Sequence, residues 1–189
     1  MKSVMPSRIL VFLAIALIGC GIDLWTKSLF FDWLGMPGQE AVWWLIPDVF
    51  GFHTSLNQGA LFGFGQGFTP VFAALSIIAA VAVLVWLFVY RAAEDWWLTI
   101  ALGCVEAGIL GNLYDRLGWH GLTWPAGYPL AGEPVHAVRD WILVMIGTWP
   151  WPTFNVADSL LVVGALLLLG HALLVNPAAA PADVKAESA

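Results

Sequence analysis

Charge is scarce in this chain. Lys and Arg number 7, Asp and Glu 13, and together they make up 11% of 189 residues, whereas 60% are hydrophobic. Water-soluble domains carry about 25% charged and about 45–50% apolar residues. That gap excludes a water-soluble globule, because the excess apolar surface needs lipid. The few cations are dispersed and the net charge is −6, which argues against the basic patches of a nucleic-acid binder. Only Cys20 and Cys104 are present, both in apolar stretches, and they read as buried thiols rather than a disulfide. His53, His120, His136 and His171 lack any ligand spacing such as H-E-x-x-H, so no metal is expected. Ser159 has no G-x-S-x-G elbow around it. Gly63, Gly65 and Gly67 alternate without the strand–helix context of a phosphate loop, so no nucleotide or other cofactor is expected. There is no internal repeat.

What the chain does have is long apolar runs. A hydrocarbon core about 30 Å thick needs roughly 20 apolar residues in a helix. Four segments approach that length, about 9–25, 70–90, 96–113 and 154–175. The third is the shortest and most polar, which predicts that its neighbours shield it. Lys2 and Arg8 precede the first span, Arg91 lies between the second and third, and Lys185 follows the fourth. Lys27, Arg116 and Arg139 fall on the other side. The cation bias puts both termini in the cytoplasm. The outer connections, 26–69 and 114–153, hold Trp33, Trp43, Trp44, Trp119, Trp124, Trp149 and Trp151, and tryptophan favours the headgroup level. Val42–Ile46 and the Phe50–Phe64 region read as short strands with Gly turns. The expected fold is an all-α membrane protein over residues 1–175, with four transmembrane helices and a small periplasmic β-rich interfacial subdomain. A disordered cytoplasmic tail, 176–189, follows. Leu17-Ile18-Gly19-Cys20 looks like the lipid-accepting end of a lipoprotein signal. No polar mature sequence follows it and three more spans do, so it reads as part of the first membrane helix.

The polar residues gather on one side of the membrane. Asp23 closes the first span, Asp115 and Arg116 close the third, and Asp158 opens the fourth; Asn57, Asn112, Arg139, Asp140 and Asn155 share that layer. Ionisable residues in or at the ends of spans are costly and by default functional. Without a metal or nucleophile motif, carboxylate chemistry remains. Two aspartates brought close do not both ionise, so one keeps its proton while the other acts as a base on water. Asn155, three residues before Asp158, is placed to cap the fourth helix. Asn112 and Asp115 share a face of the third, where Gly108 and Gly111 permit close helix approach. Two other readings stand beside a hydrolase. One is a non-catalytic lipid- or peptide-binding membrane protein on the same frame. The other is a transporter with a proton path through Asp23, Glu106 and Asp115. Glu106 is the one deep carboxyl, and its partner is not readable.

Five boxes in this chain resemble those of the lipoprotein signal peptidase (signal peptidase II) family. Asp23-Leu-Trp-Thr-Lys27 is similar to D-x-x-[ST]-K, and Asn57-Gln-Gly59-Ala60-Leu-Phe62-Gly63 to N-x-G-A-x-F-G. Gly108-Ile-Leu-Gly111-Asn112-Leu-Tyr-Asp115-Arg116 is similar to G-x-x-G-N-x-x-D-R, Val138-Arg-Asp140-Trp-Ile to V-x-D-F-I, and Phe154-Asn155-Val-Ala157-Asp158 to F-N-x-A-D. The resemblance covers about residues 9–175. It implies an aspartyl endopeptidase of the bacterial inner membrane that cuts diacylglyceryl-modified prolipoproteins before the lipidated cysteine, at the periplasmic face. Its substrate partner would be that prolipoprotein, with membrane lipid around it. Carried over residue by residue, the catalytic pair is Asp140 and Asp158. Asn57, Asn112, Arg116 and Asn155 match polar positions of the substrate site, and Gly59, Ala60 and Ala157 stand in its boxes. Asp23, Lys27 and Asp115 match positions that hold the family's site together. Three features depart from the pattern. The stretch between Arg116 and Asp140 carries a Gly-, Pro- and Trp-rich insert, residues 118–134. Ala107 replaces a frequent Gly. Arg139 stands where an apolar residue is usual, a neighbour that would lower the pKa of Asp140.

Overall fold

The computed structural model describes residues 6–39, 41–59 and 65–174. Four helices in it are long and apolar enough to cross a membrane. They are α1 (Pro6–Leu34), α2 (Thr69–Leu84, continued by a π-helical turn Val85–Val89), α3 (Trp96–Arg116) and α4 (Val156–Leu174). A small antiparallel sheet interrupts them: β1 (Trp43–Ile46) and β2 (Phe50–Asn57) after α1, β3 (Val138–Ile146) and β4 (Trp149–Pro150) before α4, in the order β1-β2-β3-β4. Ala60, with Gly63 and the phenylalanines at 62 and 64, lies outside the described residues, as do Lys2, Lys185 and the 176–189 tail.

The helix ends follow local chemistry. Helix α1 runs nine residues past the expected end at 25, to roughly 43 Å at 1.5 Å per residue. Lys27 lies one turn after Asp23 and pairs with it at 2.7 Å, so the polar pair continues the helix instead of ending it. Gly35 stops it in the left-handed region (φ 75°), with its N–H bonded to the Phe31 carbonyl at 3.0 Å. Asp95 caps α3, accepting from the N–H groups of Trp97 (2.7 Å) and Leu98 (3.3 Å). Helix α3 extends to Arg116 rather than 113, and α4 begins at Val156 rather than 154.

Helix α3 is central, which accounts for its polarity. Three-fifths of its apolar stretch is buried in the protein, against about a fifth in the other three. Small residues set the spacing. A Cβ at Gly108 would stand 2.5 Å from the Ala157 carbonyl, and one at Gly111 would collide with the Asp23 carboxylate. At the end of the bundle away from the sheet, Phe12, Ala80, Val83, Leu87, Leu102 and Ile109 form an apolar core. Cys20 and Cys104 are free thiols.

The sheet packs on the C-terminal turns of α1 through aromatic rings. Phe30 stacks on Trp141 at 3.8 Å between centroids, and Phe52 lies 4.6 Å from Phe30 and stacks on Trp43. Strand β2 pairs with β3 in a register that sets Ser55 opposite Asp140 and Asn57 opposite Val138. The 118–134 insert is a folded hairpin: Trp124 and Glu133 are joined by a backbone hydrogen bond across it, and the Tyr128 hydroxyl donates to the Pro37 carbonyl at 2.8 Å. Burial lowers the pKa of His120 to about 4. Its neutral ring accepts from the Leu122 N–H at 3.0 Å and closes the hairpin's base.

Candidate active site

Helix α4 opens with a reciprocal cap. Asn155 Oδ1 accepts from the Asp158 N–H at 2.9 Å, and Asp158 Oδ2 accepts from the Asn155 N–H at 3.2 Å, an Asn–Asp version of the capping box. Asp158 therefore sits in the first turn of a helix, where the peptide dipoles favour negative charge. Its other oxygen accepts from Asn112 Nδ2 on α3 at 2.8 Å. The cap that starts α4 thus also orients one of the two aspartates of interest.

The Asn155 amide reaches the other. Its Nδ2 donates to Asp140 Oδ1 at 2.6 Å and to Asn112 Oδ1 at 3.2 Å. Asn155 is fully buried and Asp140 is 2% exposed, so these bonds form away from water and carry more weight for it. One asparagine joins the strand that carries Asp140 to the helix that carries Asp158. Burial raises the pKa of Asp140 well above the usual carboxylate range, and the nearby charge of Asp158 adds to it.

The expected lowering by Arg139 does not occur. Successive side chains on a strand point to opposite faces. Arg139 turns away from Asp140 and binds Asp115 through Nε (3.1 Å) and Nη2 (2.9 Å).

Behind this pair lies a buried ionic layer. Lys27 Nζ contacts Asp23 at 2.7 Å, Asp115 at 3.2 Å and Asn112 Oδ1 at 3.0 Å. Asp23 Oδ1 in turn accepts from the Ala157 N–H at 2.8 Å, satisfying another free donor of the α4 start. Asp23, Lys27 and Asp115 are all inaccessible to solvent. Charges this deep persist only when paired and hydrogen-bonded, and each of these is.

Arg116 and the β2–α2 loop form the rim. Arg116 Nη2 donates to the Gly59 carbonyl at 3.3 Å, while the Gly59 N–H donates to Asn57 Oδ1 at 2.9 Å in an Asx turn. A groove of about 430 Å³ opens beside Arg116, between Pro70, Ala73 and Ile77 of α2 and Leu117, with His136 at its edge. Among the described residues, hydrogen bonds and ion pairs join Asp23, Lys27, Asp115, Asp140, Ala157 and Asp158 around Asn112 and Asn155, while Arg116, Gly59 and Asn57 bond to one another at the rim. The structure adds one residue to which the sequence assigns no role, Ser28 of α1, whose Oγ accepts from Arg139 Nη1 at 3.2 Å, and it gives Arg139 the partner Asp115 in place of Asp140. Glu106 is separate. It is 4% exposed in the middle of α3, with Oε2 unpartnered.

The chain as a whole is similar to known membrane proteins. The family model for signal peptidase (SPase) II matches residues 15–174. A lipoprotein signal peptidase of Rhodopirellula baltica is 49% identical over 164 residues, covering 86% of this chain and 71% of that one. One from Pseudomonas aeruginosa is 36% identical over 152 residues, 78% of each chain. A solved structure, described as a bacterial membrane enzyme obtained by the in meso method, superposes with a TM-score of 0.71 at 26% identity, over 97% of this chain and 98% of that one. With four membrane-spanning helices, the small sheet and these relatives, the chain belongs to the signal peptidase II family and is a multi-pass membrane peptidase.

Proposed function

We propose that the chain is an aspartic endopeptidase of the bacterial inner membrane. It removes signal peptides from diacylglyceryl-modified prolipoproteins, cutting before the lipidated cysteine. The observation that carries this reading is the Asn155 bridge, which ties Asp140 and the turn bearing Asp158 into one buried hydrogen-bonded unit. Asp158, with both oxygens accepting and a helix start beneath it, is the base. Asp140, whose burial favours the neutral acid, is the proton donor.

In the mechanism this supports, Asp158 takes a proton from water and the hydroxide oxygen adds to the scissile carbonyl carbon. Asp140 gives its proton to the carbonyl oxygen. Asp158 then passes its proton to the cysteine nitrogen as the C–N bond breaks, and the proton on the former carbonyl oxygen returns to Asp140. The products are the signal peptide carboxylate and a lipoprotein with a free amino-terminal cysteine. Asn112, Asn57 and Arg116 supply polar groups to the substrate backbone. The groove beside Arg116, lined by Pro70, Ala73, Ala74 and Ile77 of α2, suits the acyl chain of such a substrate.

Orientation follows the same reading. Lys27 and Arg139 are buried in ion pairs and are not loop charges, so the remaining bias from Arg8 and Arg91 puts the termini in the cytoplasm and the site at the periplasmic face. The test is incubation of the purified protein in detergent with a diacylglyceryl-modified precursor, and the same precursor without lipid. Mass spectrometry should show a single cut before the lipidated cysteine. Cleavage elsewhere, or equal cleavage of the unlipidated form, refutes the assignment.

A further inference from the structure

Strand β3 carries an arginine where a carboxylate of the site follows immediately, and the two side chains part company. Arg139 is 3% exposed. Its Nε and Nη2 both donate to Asp115 Oδ1, at 3.1 and 2.9 Å, and its backbone N–H donates to Asp115 Oδ2 at 2.9 Å. Nη1 reaches Ser28 of α1 at 3.2 Å. One residue thus fastens the strand to two helices, through a planar fork that an ammonium does not reproduce.

Charge arithmetic points the same way. The buried layer holds two carboxylates, Asp23 and Asp115, and Lys27 alone leaves it one cation short. Arg139 supplies the second cation and makes the layer neutral. Geometry then couples the layer to the site. Asp115 stands three residues after Asn112 on α3, and Asn112 holds Asp158. Arg139 stands one residue before Asp140 on β3. The Arg139–Asp115 fork therefore joins the strand that carries Asp140 to the helix that holds Asp158, at the level of the aspartates themselves.

We infer that Arg139 is a positioning residue. By clamping β3 to Asp115 it sets where the Asp140 carboxyl stands relative to Asp158, without touching substrate. The inference rests on the proposed roles of Asp140 and Asp158.

The test is the kinetics of a diacylglyceryl-modified precursor with two variants. Arg139→Lys keeps the charge and loses the fork. It should melt near the parent temperature, yet show a kcat roughly ten- to one-hundred-fold lower, the order of loss that a small misplacement of reacting groups brings. KM should stay within about two-fold, the pattern of an interaction that does not hold bound substrate. Arg139→Leu combined with Asp115→Asn keeps the layer neutral while deleting the clamp, and should give the same split of kcat from KM. Parent kcat in the Lys variant would overturn the inference, leaving Arg139 as charge balance only. A rise in KM at unchanged kcat would overturn it too, by making Arg139 a substrate contact. Asp140→Asn run in parallel separates the two claims: if that variant remains active, the underlying assignment of the pair has failed, whatever Arg139 does.

Discussion

Asn155→Asp separates two jobs that one side chain performs. The carboxylate of an aspartate caps a helix as well as an amide does, so the bond from the Asp158 N–H survives and α4 starts where it did. The donor to Asp140 and Asn112 is lost, and a new negative group faces Asp140 across what was a 2.6 Å hydrogen bond. Leaving a buried polar group without its hydrogen bond costs about 1–3 kcal/mol, and about 1.4 kcal/mol is a tenfold rate. The expected loss in kcat is therefore roughly ten- to one-hundred-fold. The pH profile should move as well. The amide bond from Asn155 lowers the pKa of Asp140 against the larger upward effects of burial and Asp158. Removing that bond and adding a like charge raises it further, so the alkaline limb, where Asp140 gives up its proton, should shift to higher pH. Asn155→Ser keeps a capping oxygen and adds no charge, and should lower kcat while moving that limb upward by less than Asn155→Asp does. The assay is cleavage of a lipid-modified precursor between about pH 5 and 9, with thermal melting in detergent as the control. Parent kcat and an unmoved profile for Asn155→Asp would refute the bridging role.

Three further outcomes follow from the geometry. Lys27→Met leaves Asp23 and Asp115 buried without their shared cation, so stability should fall by about 3–5 kcal/mol, read as a loss of folded protein in detergent-solubilised membranes. Glu106→Leu removes a buried oxygen with no partner at similar volume, and should raise stability by about 1–3 kcal/mol with cleavage unchanged. The raised pKa of Asp140 means that its contribution to stability is fully present below the unfolded pKa of about 3.9 and is lost as pH rises through the folded value. The melting temperature of Asp140→Asn, taken relative to the parent, should thus climb as pH rises above about 4; a flat difference would show that the carboxyl is not strained by burial.

How much of the fold and site is readable in the sequence depends on whether the determining contacts are local. The spans follow from apolar length, and the cap at Asn155 follows from a three-residue spacing to Asp158. The shielding of α3 is legible in its polarity. The extension of α1 is not, because Asp23 and Lys27 look like the end of a span until their partners on α3 and α4 are known. Strand β3 reads V-R-D-W-I-L-V-M-I and is buried on both faces over its first half. Its run of apolar residues therefore lacks the alternation that marks a half-buried strand, and periodicity alone does not separate such a run from a helix. Without the strand, the direction of Arg139 comes out wrong. Neighbours in sequence stand close in a loop but on opposite faces of a strand. The Arg139–Asp115 clamp spans the insert, and no spacing rule reaches across it.

The insert also makes the assignment of Asp140 the step most worth measuring. Cleavage of a diacylglyceryl-modified precursor by purified Asp140→Asn, Asp158→Asn, their double variant and Asp115→Asn tests it directly. Each of the first two should lose several orders of magnitude in rate, and the double variant should be little worse than either, because groups that act as a unit are not additive. Asp115→Asn should reduce the amount of folded protein, and lower the kcat of the folded fraction only by the roughly ten- to one-hundred-fold expected of a weakened clamp, far less than either member of the pair. If Asp140→Asn cleaves at the parent rate while a normally folded Asp115→Asn is inactive, the pair is Asp115 and Asp158, and the catalytic role of Asp140 is refuted.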